Sequence, residues 1–252
     1  MATTDEIVSF CDELLEVDAF EDYGPNGRQV PGAGEVSKVA TGVTPTLEML
    51  RGGLDAGAEL ILTHHGLLWG TAEHGLTPGL AQRLRALLEA EATLAAYHLP
   101  LDAHPEVGNN ALLCEGLGLE RGEPIGQVKG RPVGFVGRSP EAVSLADFLA
   151  RIEGLVGREP LVQGDGPEGI ESVAVVSGAA ASSLTEAALA GVDAFLTGEP
   201  AEHAMGEAAE AGMHFIAAGH YATEVLGIRR LGELVAERFG VEHRFIDAPN
   251  PV

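Results

Sequence analysis

Histidine and carboxylate side chains that could bind metal ions are concentrated in three short segments of the sequence. The segments are Thr63-His-His-Gly66, Tyr97-His-Leu-Pro-Leu-Asp-Ala-His104 and Gly219-His-Tyr-Ala-Thr-Glu224. Imidazole combined with carboxylate is a common ligand set for zinc and the neighbouring transition metals. Each segment directly follows an apolar run, so we expect all three at the carboxyl ends of strands, where sites in open α/β sheets usually lie.

The spacing within these segments favours two metal ions over one. His220 and Glu224 are four residues apart, so a helix that begins just before them brings both side chains to one ion. His64 and His65 are adjacent, and a turn at the end of a strand can direct them to two neighbouring ions. The proline before Asp102 indicates a sheet edge or a strand end, which leaves that carboxylate available. We therefore predict a dinuclear site with the ligands His64, His65, Asp102, His220 and Glu224.

Each segment also has a purely structural interpretation. A His-His pair is more often a core or surface pair, and an isolated H-x-x-x-E is mostly a solvated helix face. The metal site is therefore predicted from the coincidence of three segments at three strand ends. His98, and less favourably His104, could serve as a general acid or base, although His98 could instead orient Asp102 through a hydrogen bond. Surface or structural roles are assigned to His74, His203, His214 and His243.

The charge balance is strongly acidic. The chain of 252 residues has 38 acidic and 15 basic side chains, a formal net charge of -23, and 45% hydrophobic residues. Enough apolar side chains are present for a core, so the excess acid is expected on the surface, where repulsion opposes compactness unless salt screens it. We interpret this as adaptation to a salt-rich cytoplasm, with an ordinary acidic bacterial enzyme as the alternative. Nucleic acid is a disfavoured partner.

The chain shows no signal for secretion or membrane insertion. Its N-terminal segment carries acids where a signal peptide carries basic residues, and no run of about 18 apolar residues occurs. We expect a cytoplasmic protein without a membrane partner. Cys11 and Cys114 are far apart and belong to no CxxC pair, so both are predicted to be core thiols.

An internal duplication is predicted from two similar strand–helix–strand units. The first covers residues 36–63, and the second, over 170–197, follows it at a constant offset of 134 residues. Thr3 and Glu6 form a capping box that begins a first helix. We predict an α/β (α+β) fold with a duplicated motif and mixed sheets flanked by helices. Residues 1–121 and 171–252 would form the metal-binding domain, and residues 122–170 a smaller inserted α+β domain.

Segments along the whole chain resemble the Nif-three-like family of dinuclear-metal proteins, also called GTP cyclohydrolase I type 2 homologues. Besides Thr63-His-His-Gly66, the segments that carry the resemblance are Tyr23-Gly-Pro-Asn-Gly27, His98-Leu-Pro-Leu-Asp-Ala-His-Pro-Glu-Val-Gly-Asn-Asn110, Thr197-Gly-Glu199, Ala217-Ala-Gly-His-Tyr-Ala-Thr-Glu224 and Phe245-Ile-Asp-Ala-Pro-Asn-Pro251. They occur in family order. The position after His220 is often a second histidine in the family, whereas here it is Tyr221.

The resemblance implies a Nif-three-like fold, a specific ligand arrangement and an assembly. His64, His65, Asp102 and His220 would each bind one of two divalent ions, and Glu224 would bridge both. The ions could be Zn, Mn, Fe, Co or Ni. The chains would form a toroidal homohexamer built from trimers.

Two classes of function are compatible with such a site. The first is metal-dependent hydrolysis of a small-molecule substrate, with a nucleotide such as GTP as one candidate. The second is non-enzymatic: a metal carrier, a store or a regulatory scaffold.

Overall fold

The computed structural model describes residues 2–32, 34–69 and 75–252. In chain order, its strands are β1 (Ala2–Thr3), β2 (Gly27–Val30), β3 (Glu35–Val36), β4 (Lys38–Gly42), β5 (Leu60–Thr63), β6 (Thr93–Ala96), β7 (Glu120–Val128), β8 (Arg131–Ser144), β9 (Leu161–Gly164), β10 (Gly169–Val175), β11 (Ala194–Thr197), β12 (His214–Ala217) and β13 (Glu242–Phe245). Its α-helices are α1 (Thr4–Leu14), α2 (Leu47–Asp55), α3 (Pro78–Glu89), α4 (Leu99–Ala103), α5 (Asn109–Gly116), α6 (Leu145–Val156), α7 (Leu184–Ala190), α8 (Ala204–Glu210) and α9 (His220–Phe239). The predicted α/β class is confirmed.

The chain divides into two compact units. One consists of Met1–Leu101 and Gly227–Ala248, and the other of Asp102–Leu226 and Pro249–Val252. This division differs from the predicted one, in which residues 122–170 form an inserted domain. The segment belongs to the second unit because its strands β8 and β9 pair with β10 and β12 in a shared sheet.

The first unit is built on a sheet with the strand order β13-β4-β5-β6-β2 in the described residues. The first four strands are parallel and β2 is antiparallel at the edge. Met49 and Leu50 of α2 and Leu87 of α3 are fully buried in one core cluster with Ile61 and Leu94 of the sheet. Burial of each such side chain contributes roughly 1.5–3 kcal/mol.

The second unit is built on a sheet with the strand order β7-β8-β10-β11-β12-β9 within the described part of the chain. Its strands β10, β11 and β12 are parallel, whereas β7, β8 and β9 are antiparallel to their neighbours. Helix α6 inserts Phe148 and Ile152 into a core that contains Val173, Leu196 and Ile216. Helix α6 begins after Ser144, whose side chain accepts the cap hydrogen bond from the backbone N–H of Asp147.

The strand registers support the internal duplication. Val39 pairs with Leu60 between β4 and β5, and Val173 pairs with Ala194 between β10 and β11. Both residues of the second pair lie 134 positions after those of the first. The two units therefore repeat one parallel ladder residue by residue.

A carboxylate at the same relative position accepts backbone hydrogen bonds just before the parallel ladder begins in each repeat. Glu59 accepts hydrogen bonds from the backbone of Ser37 and Lys38 and from the Ser37 hydroxyl. Asp193, 134 positions later, accepts the corresponding bonds from Glu171 and Ser172. Each acid therefore satisfies backbone donors next to the beginning of the ladder.

Two local predictions, the capping box and the core thiols, are confirmed. Thr3 and Glu6 exchange the two hydrogen bonds of a capping box at the start of α1. Cys11 and Cys114 are buried thiols. Within the described residues, no helix combines the length and the apolar character needed to cross a membrane.

Candidate metal site

The two adjacent histidines of the first unit are held at the end of β5 by the neighbouring strand. The backbone N–H of His64 donates to Gly42 O (3.2 Å), and that of His65 donates to Val43 O (2.8 Å). The Thr63 hydroxyl donates to His65 O (2.8 Å). The chain is thus fixed by main-chain bonds directly beyond the strand, and His64 is completely buried.

Hydrogen bonds to Nδ1 orient both imidazole rings. His64 Nδ1 lies 2.9 Å from the carbonyl oxygen of Tyr97. A carbonyl only accepts, so the ring proton is on Nδ1 and the lone pair is on Nε2. His65 Nδ1 lies 2.9 Å from Thr44 Oγ1. A partner on one ring nitrogen is the usual support of an imidazole that ligates a metal through the other nitrogen.

His98 is a third imidazole in the same group. Potential ligand nitrogens of His64, His65 and His98 all lie within 4.8 Å of one another. His98 Nδ1 lies 2.8 Å from Asp22 Oδ1, so Asp22 is a hydrogen-bond partner of this imidazole. Sequence reasoning missed Asp22, although it directly precedes Tyr23-Gly-Pro-Asn-Gly27, one of the segments that carry the family resemblance.

Asp22 is a fully engaged carboxylate. It accepts further hydrogen bonds from Asn26 Nδ2 (2.9 Å), Leu99 N (3.0 Å) and Tyr23 N (2.6 Å). Burial raises the pKa of Asp22, but the hydrogen bond and charge of His98, followed by the bonds from Asn26 and Tyr23, outweigh burial and hold the pKa below its ordinary value. The ionised acid therefore fixes the position and the tautomer of His98.

The Asp22→Asn variant should lose about 1–3 kcal/mol of unfolding free energy at pH 7, because the NH₂ group that replaces one carboxylate oxygen cannot accept the hydrogen bonds made to that oxygen. The folded pKa of Asp22 is depressed below about 3.8. Its contribution is therefore present above that value and is lost as the pH falls through the folded pKa. Urea unfolding between pH 7 and pH 3 should show that the difference in unfolding free energy from wild type becomes smaller as the pH falls.

The control Asp5→Asn removes an exposed pair with Arg28 and should lose less than about 1 kcal/mol. Equal losses in both variants at pH 7 would contradict this role.

The second unit presents a His–Glu pair at the start of α9. His220 Nε2 lies 3.2 Å from Glu224 Oε2, which confirms that the four-residue spacing places both side chains on one helix face. His220 Nδ1 lies 2.5 Å from Oε1 of Glu199. Burial lowers the pKa of His220, but hydrogen bonds and charges of Glu224 and Glu199 outweigh burial and raise the pKa to about 9. A metal ion that binds this imidazole must therefore displace a proton.

Asp102 lies on the short helix α4. The prediction of a sheet edge or strand end at this position, which was based on Pro100, is therefore wrong. Pro100 occupies the first turn of that helix, where an N–H has no intrahelical acceptor and its loss is tolerated. Asp102 is buried, and its Oδ1 accepts from Asn109 Nδ2 (2.8 Å) and Ser177 Oγ (3.1 Å). The carboxylate is therefore held in one orientation within the second unit.

Two glycines allow the backbone to approach the His–Glu pair closely. Gly178 has a φ of +69°, and a Cβ there would lie 2.4 Å from Glu224 Oε1. A Cβ at Gly198 would lie 2.7 Å from both Gly178 O and His220 Cα. Any larger residue would displace the pair or the adjacent backbone, so this close approach requires glycine at both positions.

The other histidines have local structural contacts or lie away from the groups described above. His104 Nδ1 accepts from the backbone N–H groups of Glu106 and Val107, which closes a turn. His203 is exposed, whereas His214 bonds to Pro167 O and His243 to Thr41 Oγ1. His74 lies outside the described residues.

Comparison with known proteins assigns the family. A family model described as Duf34/NIF3 (NGG1p interacting factor 3) matches residues 2–251. The chain belongs to the Duf34/NIF3 family. The resemblance found in the sequence segments is thereby confirmed.

Curated Duf34/NIF3 relatives match over nearly their full length. A protein of Pseudomonas aeruginosa is 42% identical over 246 residues, which are 97% of each chain. A protein of Escherichia coli K12 is 41% identical over 248 residues, which are 98% of each chain. Both are named GTP cyclohydrolase 1 type 2 homolog.

Solved structures of similar proteins share the fold. A protein called ybgI, described as of unknown function, superposes with a TM-score of 0.94 at 40% identity and full coverage of both chains. TTHA1606 from Thermus thermophilus gives a TM-score of 0.90 at 34% identity, again with full coverage.

The donor sets of this Duf34/NIF3 chain fit divalent transition metals. The first unit supplies clustered imidazoles, two of them with Nδ1 bonded to a neighbouring oxygen of Tyr97 or Asp22. The second unit supplies an imidazole next to a carboxylate. These groups of His and Glu side chains could hold metal ions of borderline softness.

Proposed function

We propose that this Duf34/NIF3 protein binds two divalent metal ions per chain and acts as a metal-dependent hydrolase of the GTP cyclohydrolase I type 2 class. The proposed ligands are His64, His65, Asp102, His220 and Glu224. The observation that supports this most strongly is the imidazole cluster of the first unit, with potential ligand atoms within 4.8 Å. The names of relatives at 41% and 42% identity support the reaction class.

The proposed ligand set leaves coordination positions open for water or substrate. Five protein ligands do not fill two coordination shells of four to six, and open positions are characteristic of catalytic metal sites. Divalent ions in such a site supply Lewis acidity and a local positive field that activates water. That field matters here because a net charge of -23 gives an anionic substrate no general attraction to the protein.

His98 is the proposed general acid or base. Its Nδ1 is held by the Asp22 carboxylate, so Nε2 is the nitrogen that would hold or move a proton. With GTP as the substrate, hydrolysis would open the imidazole ring at C8 and release formate. The metal could be Zn, Mn, Fe, Co or Ni, since all accept imidazole and carboxylate ligands.

A turnover assay on metal-loaded protein tests this function. The protein is incubated with GTP and, separately, with p-nitrophenyl phosphate, and formate and p-nitrophenol are measured. Chelator-stripped protein is the control. We expect turnover of one compound by the loaded protein and none by the stripped protein. Bound metal without turnover of either compound would contradict the hydrolase and favour a metal carrier, store or regulatory scaffold.

We also propose a cytoplasmic homohexamer, toroidal and built from trimers. The family resemblance is the support for this assembly. Each 26.1 kDa chain would then contribute one site.

The acidic surface leads to a prediction about salt. If the charge of -23 is an adaptation to a salt-rich cytoplasm, the melting temperature should rise by several degrees between about 0.1 M and 1 M KCl, because the screening length falls from about 10 Å to 3 Å. Thermal unfolding in KCl and in NaCl at matched ionic strength measures the effect, and both salts should act alike. A melting temperature that stays flat or falls with salt would contradict the halophilic interpretation.

A further inference from the structure

Two exposed aromatic side chains lie next to the histidine cluster of the first unit. The ring of Trp69, which is 40% exposed, lies 4.9 Å from that of His98 and 5.4 Å from that of His65. The ring of Tyr23, which is 60% exposed, lies 6.1 Å from that of His98. Large aromatic side chains are normally buried to a greater extent, so their exposure at a candidate site points to a ligand.

The indole of Trp69 is seated on two glycines. A Cβ at Gly24 would lie 2.1 Å from Trp69 Cδ1, and a Cβ at Gly66 would lie 2.6 Å from Trp69 Nε1. Neither glycine has a positive φ, so the backbone conformation itself does not require glycine there. Space for the indole is therefore the reason for glycine at both positions. The side chain is fixed from behind and yet remains partly open to solvent.

We propose that Trp69 and Tyr23 bind a planar heteroaromatic ring of the substrate, such as a nucleobase, by stacking beside His98. This rests on the proposed function for the location of the chemistry. Stacking suits this chain because it needs no positive charge, and the protein offers little. Aromatic side chains also accept any planar ring, since every such ring has a π-face. The two residues would therefore determine affinity for the ring, while the proposed metal ligands would hold the ions that supply Lewis acidity at the reacting bond.

The chain has a single tryptophan, so fluorescence excited at 295 nm reports on Trp69 alone. Three probes separate the contributions: guanosine carries the ring without phosphate, GTP carries both, and tripolyphosphate carries no ring. We expect guanosine and GTP to quench the emission in a saturable manner and tripolyphosphate to leave it unchanged. Tyr23→Ala should raise the Kd for guanosine roughly 5- to 100-fold, and Tyr23→Phe, which keeps the ring, should restore it. Quenching by tripolyphosphate as strong as by GTP would overturn the proposal.

Two further outcomes would also overturn the stacking site. One is an unchanged Kd for guanosine in Tyr23→Ala. The other is the absence of saturable quenching by guanosine at millimolar concentration. The second outcome would favour a protein partner as the occupant of the aromatic pair. These failures are distinguishable from failure of the hydrolase. Guanosine binding without turnover of GTP would support the stacking site and contradict the hydrolase. Turnover with the same KM in Tyr23→Ala and Trp69→Ala would support the reaction and contradict the stacking site.

Discussion

In the Glu224→Gln variant we expect metal binding and turnover to be lost together. The carboxylate is almost fully buried and lies one helical turn from His220, at 3.2 Å. Glutamine keeps the size of the side chain but removes the negative charge that compensates a divalent ion. The loss of metal affinity should exceed the roughly 10- to 100-fold that removal of a residue supporting a ligand produces. Equilibrium dialysis followed by elemental analysis measures it.

A second readout of Glu224→Gln does not depend on metal. In metal-free wild type, Glu224 and Glu199 together raise the pKa of His220 to about 9, and Glu224 makes the larger contribution. The variant should therefore show a lower pKa for this imidazole by NMR titration. The control Glu237→Gln changes an exposed carboxylate on the same helix, paired with Arg230, and should bind metal normally. Normal metal content in Glu224→Gln would contradict its assignment as a ligand.

The Gly178→Ala variant should weaken metal binding at least about 10-fold without a direct change to any proposed ligand. The added Cβ would lie 2.4 Å from Glu224 Oε1, so the carboxylate must move away from its position beside His220. The positive φ of +69° adds a destabilisation of about 1 kcal/mol for any residue with a Cβ. Metal affinity and thermal unfolding are measured together.

Gly191→Ala is the matched control for this change. Gly191 has nearly the same φ, +68°, but a Cβ there would meet no atom within 4 Å. It should therefore lose the same roughly 1 kcal/mol, or about 2–4 °C in melting temperature, and retain full metal affinity. If both variants bind metal like wild type, the close approach of Gly178 has no bearing on the site.

Local patterns and the repeat were accessible from the sequence. The capping box at Thr3 depends on residues three positions apart, and the His220–Glu224 pair depends on one helical turn. The duplication was visible because both copies preserve the same offset, and the ladder registers at Val39 and Val173 preserve it too. Features that depend on residues within one helix or strand, or on a repeat at a constant offset, can be predicted from the sequence without knowledge of the fold.

Contacts between segments that are distant in the chain could not be predicted from the sequence. Asp22 supports His98 from 76 positions away, and nothing in its neighbourhood marks it as a partner of an imidazole. The sequence predicts an inserted domain over residues 122–170, yet β8 pairs with β10 in the sheet of the second unit. Proline fits both a strand end and the first turn of a helix, so the sequence around Pro100 is compatible with either, and only the fold separates these alternatives.

Elemental analysis of protein purified without added metal, compared with the His64→Ala variant, tests the metal site most directly. His203→Ala, which changes an exposed histidine, is the control. The expected result is about two transition-metal ions per chain in wild type and in the control, and a clear reduction in His64→Ala. Wild-type protein that contains no metal and takes up none on incubation with Zn, Mn, Fe, Co or Ni would contradict the dinuclear site.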